Sequence, residues 1–67
     1  MAEVGVVKWY DRQKGVGMIE RQVGMDVTVL AKDIRMDPFD NLEAGRQVSF
    51  DVVEGPKTML AVNVVPL

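Results

Sequence analysis

The side chains that could take part in chemistry are few in this chain of 67 residues. It contains no cysteine and no histidine, so it lacks disulfides, the usual zinc ligands and any nucleophile paired with an imidazole base. Four aspartates stand among turn-forming residues, namely Asp11, Asp33, Asp37 and Asp40. Their spacing fits no metal-binding loop, and we interpret them as turn and cap residues. The sequence therefore predicts no catalytic residues, no metal site and no cofactor.

One segment near the N-terminus combines an aromatic residue, basic residues and closely spaced glycines. Residues 8–19 read KWYDRQKGVGMI, and the run DVTVL follows at residues 26–30. Glycine inside a strand often marks a bulge or a sharp twist, so Gly15 and Gly17 need no ligand to explain them. We interpret both glycines as structural.

These two segments resemble the two RNA-binding motifs of the bacterial cold-shock domain, which typically read K-G-F-G-F-I and V-F-V-H-F. The motif frame matches at Lys14, Gly15, Gly17, Ile19, Val27 and Val29. Further matches follow in order along the chain, at Gly5, Lys8, Trp9, Ile34, Phe39, Leu42, Gly45, Val48, Ser49, Phe50, Glu54, Gly55, Ala61, Asn63 and Val64. The resemblance implies an OB-type barrel that binds single-stranded RNA or DNA.

The apolar pattern agrees with an all-β, five-stranded antiparallel OB-fold barrel. We predict strands at residues 4–10, 16–21, 26–30, 47–53 and 58–64, and one helical turn at residues 31–34. Closing such a sheet removes its edges, which suits a chain of this size. The expected core consists of Val7, Ile19, Val27, Val29, Ile34, Val48, Phe50 and Val64. We expect a single domain over residues 1–67.

In the cold-shock family, strands one to three carry aromatic rings that stack on bases, and basic residues beside them face the phosphates. By this resemblance the nucleic-acid-binding positions are Lys8, Trp9, Lys14, Val16, Met18, Thr28, Leu30, Phe39 and Lys57. Ala31 is a further position where the family often carries a stacking ring, and Arg12 and Arg46 are further basic positions beside these rings. Only Trp9 and Phe39 keep a ring, and the direction of the Tyr10 ring stays open. Two alternatives also stay open: Trp9 as a core ring, and Phe39 as a lid over the barrel.

The missing rings predict weak binding. Val16, Met18 and Thr28 replace phenylalanines of the family motifs, and Leu30 replaces the histidine. Stacking contributes roughly 1–3 kcal/mol per base, so four absent rings would remove on the order of 4 kcal/mol, roughly a thousandfold in affinity. The net charge of −2 acts in the same direction, because phosphate contacts need a basic surface. We expect weak, salt-dependent binding of single strands.

A second interpretation is a protein-interaction module. Val16, Met18 and Leu30, with Val53 near them, would form an apolar patch that another molecule covers. The partner would be a different protein or a second copy, and exchange of strands through residues 31–45 is another route to a homodimer. The N-terminus resembles no signal peptide, and no apolar run approaches the ~20 residues of a membrane helix. We therefore expect a cytoplasmic protein without a membrane partner.

Overall fold

The computed structural model describes residues 2–35 and 42–67. These residues form strands β1 (Glu3–Asp11), β2 (Val16–Arg21), β3 (Val27–Leu30), β4 (Gln47–Glu54) and β5 (Met59–Pro66). A 3-10 helix, Ala31–Asp33, follows β3 directly, where the helical turn is predicted. Among the described residues, no helix has the length and apolar character needed to cross a membrane.

The strands close a barrel in the order β1-β2-β3-β5-β4, with β4 pairing back to β1. The predicted all-β five-stranded barrel is confirmed. One detail differs from the antiparallel prediction, since β3 and β5 run parallel, whereas the other strand pairs are antiparallel. The chain crosses from β3 to β4 before β5 returns beside β3, so these two strands are not joined by a hairpin and point the same way.

Apolar side chains at alternate strand positions fill the barrel, as the period of two predicts. Apart from Ile34, every predicted core residue is buried, and Leu42 and Ala61 join them. The prediction for Ile34 is wrong. This residue is half-buried and packs against the core from outside it, because it follows the 3-10 helix and makes only a single bridge, to Val64.

The pairing of β4 with β5 contains a bulge that the sequence pattern does not reveal. Ser49 pairs with Val65 but Asp51 pairs with Val62, so β5 holds one extra residue there. Asn63 lies in this interval with a φ of 52°, a conformation that asparagine tolerates better than most residues. Its side-chain amide donates to Asp51 Oδ2 at 3.3 Å and accepts from Arg35 Nε at 3.0 Å. These bonds fasten the segment after the 3-10 helix to the barrel wall.

Candidate nucleic-acid interface

A bulge in β1 determines which way the Trp9 ring points. Val7 pairs with Ile19, but Trp9 pairs with Met18, so Lys8 is an extra residue in β1. Simple alternation would send Trp9 inward with Val7, whereas the bulge leaves Lys8 and Trp9 exposed in succession. Trp9 is 46% exposed and is not a core ring. Tyr10 is the residue that packs against the core instead.

One row of outward-facing side chains begins at Trp9, and we call it the Trp9 row. Trp9 pairs with Met18, and Met18 pairs with Thr28 on β3. Thr28 in turn pairs with Leu60 on β5, and Leu60 with Val53 on β4. Because the row takes one residue from each strand of the closed barrel, it curves round the barrel. Its first three residues, Trp9, Met18 and Thr28, span about 10 Å at a strand spacing of about 4.8 Å.

A second row, the Val16 row, runs beside the first. Asp11 pairs with Val16, and Val16 pairs with Leu30. The parallel register of β3 and β5, continued by one residue, places Val62 next to Leu30. The structure thus brings the predicted positions Val16, Met18, Thr28 and Leu30 together beside Trp9. All four are half-buried, and we call these four residues with Trp9 the platform.

Gly17 allows the close approach of β1 behind the platform. A Cβ atom on Gly17 would lie 2.7 Å from the carbonyl oxygen of Trp9 and 2.7 Å from Cδ1 of Tyr10. Gly15 has a φ of 67°, which favours glycine in the turn before β2. Both glycines therefore have structural reasons, as predicted.

Lys14 is exposed in the turn at one end of the Val16 row. The Asp11 carboxylate shapes this turn by accepting from the backbone N–H groups of Gln13 at 2.9 Å and Lys14 at 3.2 Å. Gly15 accepts from the backbone N–H of Ala31 at 2.9 Å, which holds the turn against the start of the 3-10 helix. Within residues 2–35 and 42–67, Lys14 takes part in no ion pair.

Lys8, by contrast, is engaged by acidic residues. Its Nζ donates to Asp26 Oδ2 at 2.9 Å, from β1 to the residue that precedes β3. The Asp26 hydrogen bond and charge, and more weakly the charge of Glu20 on the strand between them, raise the pKa of Lys8. Because its pKa is raised, Lys8 loses its proton, and with it the pair, only above the pH at which an ordinary lysine titrates. At neutral pH Lys8 carries its charge but already has an anionic partner.

The remaining predicted positions lie farther from the platform or outside the described residues. Lys57 is exposed in the short connection between β4 and β5, beyond the Val53 end of the Trp9 row. Phe39 lies outside the described residues. Arg12 is exposed in the same turn as Lys14, whereas Arg46 is half-buried and its carbonyl accepts from the Val7 N–H on another part of the barrel. Among the residues that the structure covers, no group of three or more acidic side chains could hold a metal ion.

The comparisons with known proteins agree with this geometry. Residues 3–67 match the family model described as the 'Cold-shock' DNA-binding domain. The chain belongs to the cold-shock domain family. It is 48% identical over 63 residues to cold shock-like protein CspC of Bacillus cereus, which covers 94% of this chain and 97% of the relative. It is 47% identical over 62 residues to cold shock protein CspC of Bacillus subtilis, covering 92% and 94%.

A solved structure extends the likeness to the fold. A structure of drosophila Unr superposes with a TM-score of 0.81 over all of this chain and 27% of that one, at 15% sequence identity. The predicted resemblance and the predicted OB-fold are thereby confirmed. This cold-shock domain binds single-stranded nucleic acid, as its family does.

Three features of the interface were missed from the sequence. The bulge at Lys8 leaves no mark in the run VVKWY, which reads as an ordinary strand. Leu60 and Val62 extend the outward apolar surface, and their signal was present, since β5 is apolar at positions on both faces. The ion pair of Lys8 with Asp26 joins residues 18 positions apart and has no local signal.

Proposed function

We propose that the platform is the surface on which this cold-shock domain holds single-stranded RNA or DNA. The contact residues would be Lys8, Trp9, Lys14, Val16, Met18, Thr28, Leu30, Phe39 and Lys57. The observation that supports this most is the exposed Trp9 ring in register with Met18 and Thr28. A base would stack on Trp9, and its neighbours would lie against apolar side chains along the Trp9 row.

The binding would be weak and salt-dependent. Trp9 is the one aromatic ring among the five platform residues, and Met18 and Leu30 offer dispersion contacts only. Lys14 at one end would meet a phosphate without giving up an ion pair within the described ranges, whereas Lys8 at the other end would have to leave Asp26. Each phosphate contact adds an electrostatic contribution that salt weakens, so few contacts mean weak binding with a shallow dependence on salt.

Weak binding by stacking, without hydrogen bonds to base edges, suits an RNA chaperone or a regulator of transcription or translation. Such a protein keeps strands open without holding any one of them for long, and it performs no covalent chemistry. We propose this non-catalytic role, in the cytoplasm, where nascent and mature transcripts are available.

The experiment that tests the proposal uses Trp9, the only tryptophan, as its own reporter. Its fluorescence is titrated with T-rich and U-rich oligonucleotides at low and at physiological salt. Saturable quenching that weakens with salt is expected, because a base stacks on the ring while lysines contact phosphates. No change at millimolar strand, with the protein folded, would contradict the proposal.

A matched pair of variants tests whether binding takes place at the platform or elsewhere on the barrel. Thr28 and Ser49 are both half-buried hydroxyl residues in strands, but Ser49 lies in a different row, between Val4 and Val65. Thr28→Glu places a negative charge inside the platform and should weaken binding at least tenfold. Ser49→Glu adds the same charge elsewhere and should change affinity by less than about twofold.

A second candidate function is a protein interface, and one observation favours it. The apolar surface does not stop at β3 but continues over Leu60 and Val62 to Val53, which is 42% exposed. A second copy of this chain could cover such a surface. Sedimentation over a wide concentration range should then show a dimer that Met18→Glu abolishes. A dimer that survives Met18→Glu would point to strand exchange through residues 31–45, and a monomer throughout would dismiss the homodimer.

A further inference from the structure

The carboxylate of Asp26 already binds the ammonium group of Lys8, which a nucleic-acid phosphate would otherwise contact. The Lys8 side chain reaches past the β2 strand to place Nζ 2.9 Å from Asp26 Oδ2. Both side chains are partly exposed, 47% for Lys8 and 33% for Asp26, so an incoming strand can reach the pair. Lys8 can therefore exchange its contact with Asp26 for one with a phosphate of the strand.

Glu20 strengthens the competition. It is exposed on β2, opposite Val6 of β1, and its charge contributes weakly to the raised pKa of Lys8 without a direct ion pair. One ammonium group thus interacts directly with one carboxylate and at longer range with a second, and the three side chains together carry a formal charge of −1. A phosphate that approaches Lys8 would meet repulsion from both acidic residues before it gained the lysine.

The end of the platform at Lys14 lacks this arrangement. The carboxylate beside its turn, Asp11, accepts hydrogen bonds from two backbone N–H groups, and no ion pair joins it to Lys14 within the described residues. Lys14 and Lys8 are therefore unequal as phosphate ligands, although the sequence motif presents them alike.

We propose that Asp26 competes with the phosphate backbone for Lys8 and so limits both the affinity and the salt dependence of the interface. The inference rests on the proposed function and adds a residue that the motif does not mark as a determinant. Removing the carboxylate would free one cation for the strand, whereas removing Lys8 would cost little, because its charge is already neutralised.

The test compares wild-type protein with Asp26→Asn, Glu20→Gln, Lys8→Gln and the double variant Lys8→Gln/Asp26→Asn. Each is titrated with one T-rich oligonucleotide at several salt concentrations, and far-UV circular dichroism checks that each is folded. Asp26→Asn should bind about threefold more tightly at physiological salt, the size expected for one exposed ion pair released. Its plot of log affinity against log salt should steepen by about 0.7, one phosphate contact on a single strand.

The double variant separates competition from simple repulsion. If Asp26 acts through Lys8, Asp26→Asn gains nothing in the Lys8→Gln background, and Glu20→Gln alone gains less than Asp26→Asn. An equal gain in both backgrounds would overturn the proposal in favour of general charge repulsion. Weaker binding by Asp26→Asn would overturn it too, because the carboxylate would then contact the strand itself. If no variant binds any strand, the proposed function fails together with this inference, whereas binding that Asp26→Asn leaves unchanged refutes the inference alone.

Discussion

Strands β2 and β3 present one face to the barrel interior and one to the outside, and the two faces are under different constraints. Ile19, Val27 and Val29 point inward with 0% exposure, and nothing but packing specifies them. Val16 and Met18 alternate with them, point outward and remain half-buried. The inner face must fill a closed volume, so only apolar residues of the right size fit. The outer face has no such requirement, and its aliphatic residues leave the fold intact while changing what the surface can bind.

The largest effect on stability is expected when the buried ring of Phe50 is removed. Phe50→Ala should lower the free energy of unfolding by about 3–5 kcal/mol, because the ring is 1% exposed and its removal leaves a cavity. Urea denaturation measures the change. Val53→Ala on the same strand, at a position 42% exposed, should cost well under about 1 kcal/mol. Similar losses for the two variants would mean that the outer apolar surface also supports the fold.

The next effect belongs to the outer face. Trp9→Ala should weaken oligonucleotide binding by about 1–3 kcal/mol, since it removes the stacking ring of the described platform. Calorimetric titration measures the affinity, because the fluorescent reporter is lost. Val65→Ala, at another exposed position of the barrel, is the control and should leave affinity unchanged. An unchanged affinity for Trp9→Ala would show that nucleic acid does not bind at the platform.

A gain of binding tests the same contrast in the opposite direction. Met18→Phe restores a ring between Trp9 and Thr28 and should tighten binding about tenfold, near the lower end of the energy of one stacked base. Val65→Phe places a ring elsewhere on the barrel and should not change affinity. A gain of the same size at both positions would mean that any exposed ring suffices.

The smallest effect concerns an ion pair that belongs to neither face. Arg21 donates to Glu3 through Nε and a terminal amino group, each at 2.9 Å, across β1 and β2. Because both side chains are partly exposed, Arg21→Gln should lower the free energy of unfolding by only about 0.5 kcal/mol. High salt should reduce that difference, and oligonucleotide affinity should not change. A salt-independent loss would indicate that packing of the arginine side chain matters more than its charge.

The fold was largely predictable from the sequence because its determinants are local and periodic. Alternating apolar residues on β4 and the motif frame around Gly15 and Gly17 placed the strands and most of the core. The parallel pairing of β3 with β5 was not predicted, since it depends on how the chain crosses the barrel after β3. Ile34 was wrongly predicted to lie in the core because the segment beside the 3-10 helix has no alternating pattern that would show which side chains point inward.

The interface was less predictable than the fold. The platform positions came from matching a family motif. The direction of the Trp9 side chain, however, depends on a bulge at Lys8 that no residue in this segment predicts. The partner of Lys8 stands on another strand, so only the folded chain shows that its charge is already engaged. Both features arise from tertiary geometry, which a motif cannot encode.

An NMR footprint tests most directly whether the platform is the nucleic-acid interface. Backbone amide shifts are followed while a T-rich single strand is added at low salt. We expect saturable shifts at Trp9, Met18, Thr28 and Leu30, with little change at Val4, Ser49 and Val65. Shifts concentrated at the second set, or spread evenly over both sets, would contradict the claim that the platform is the nucleic-acid interface.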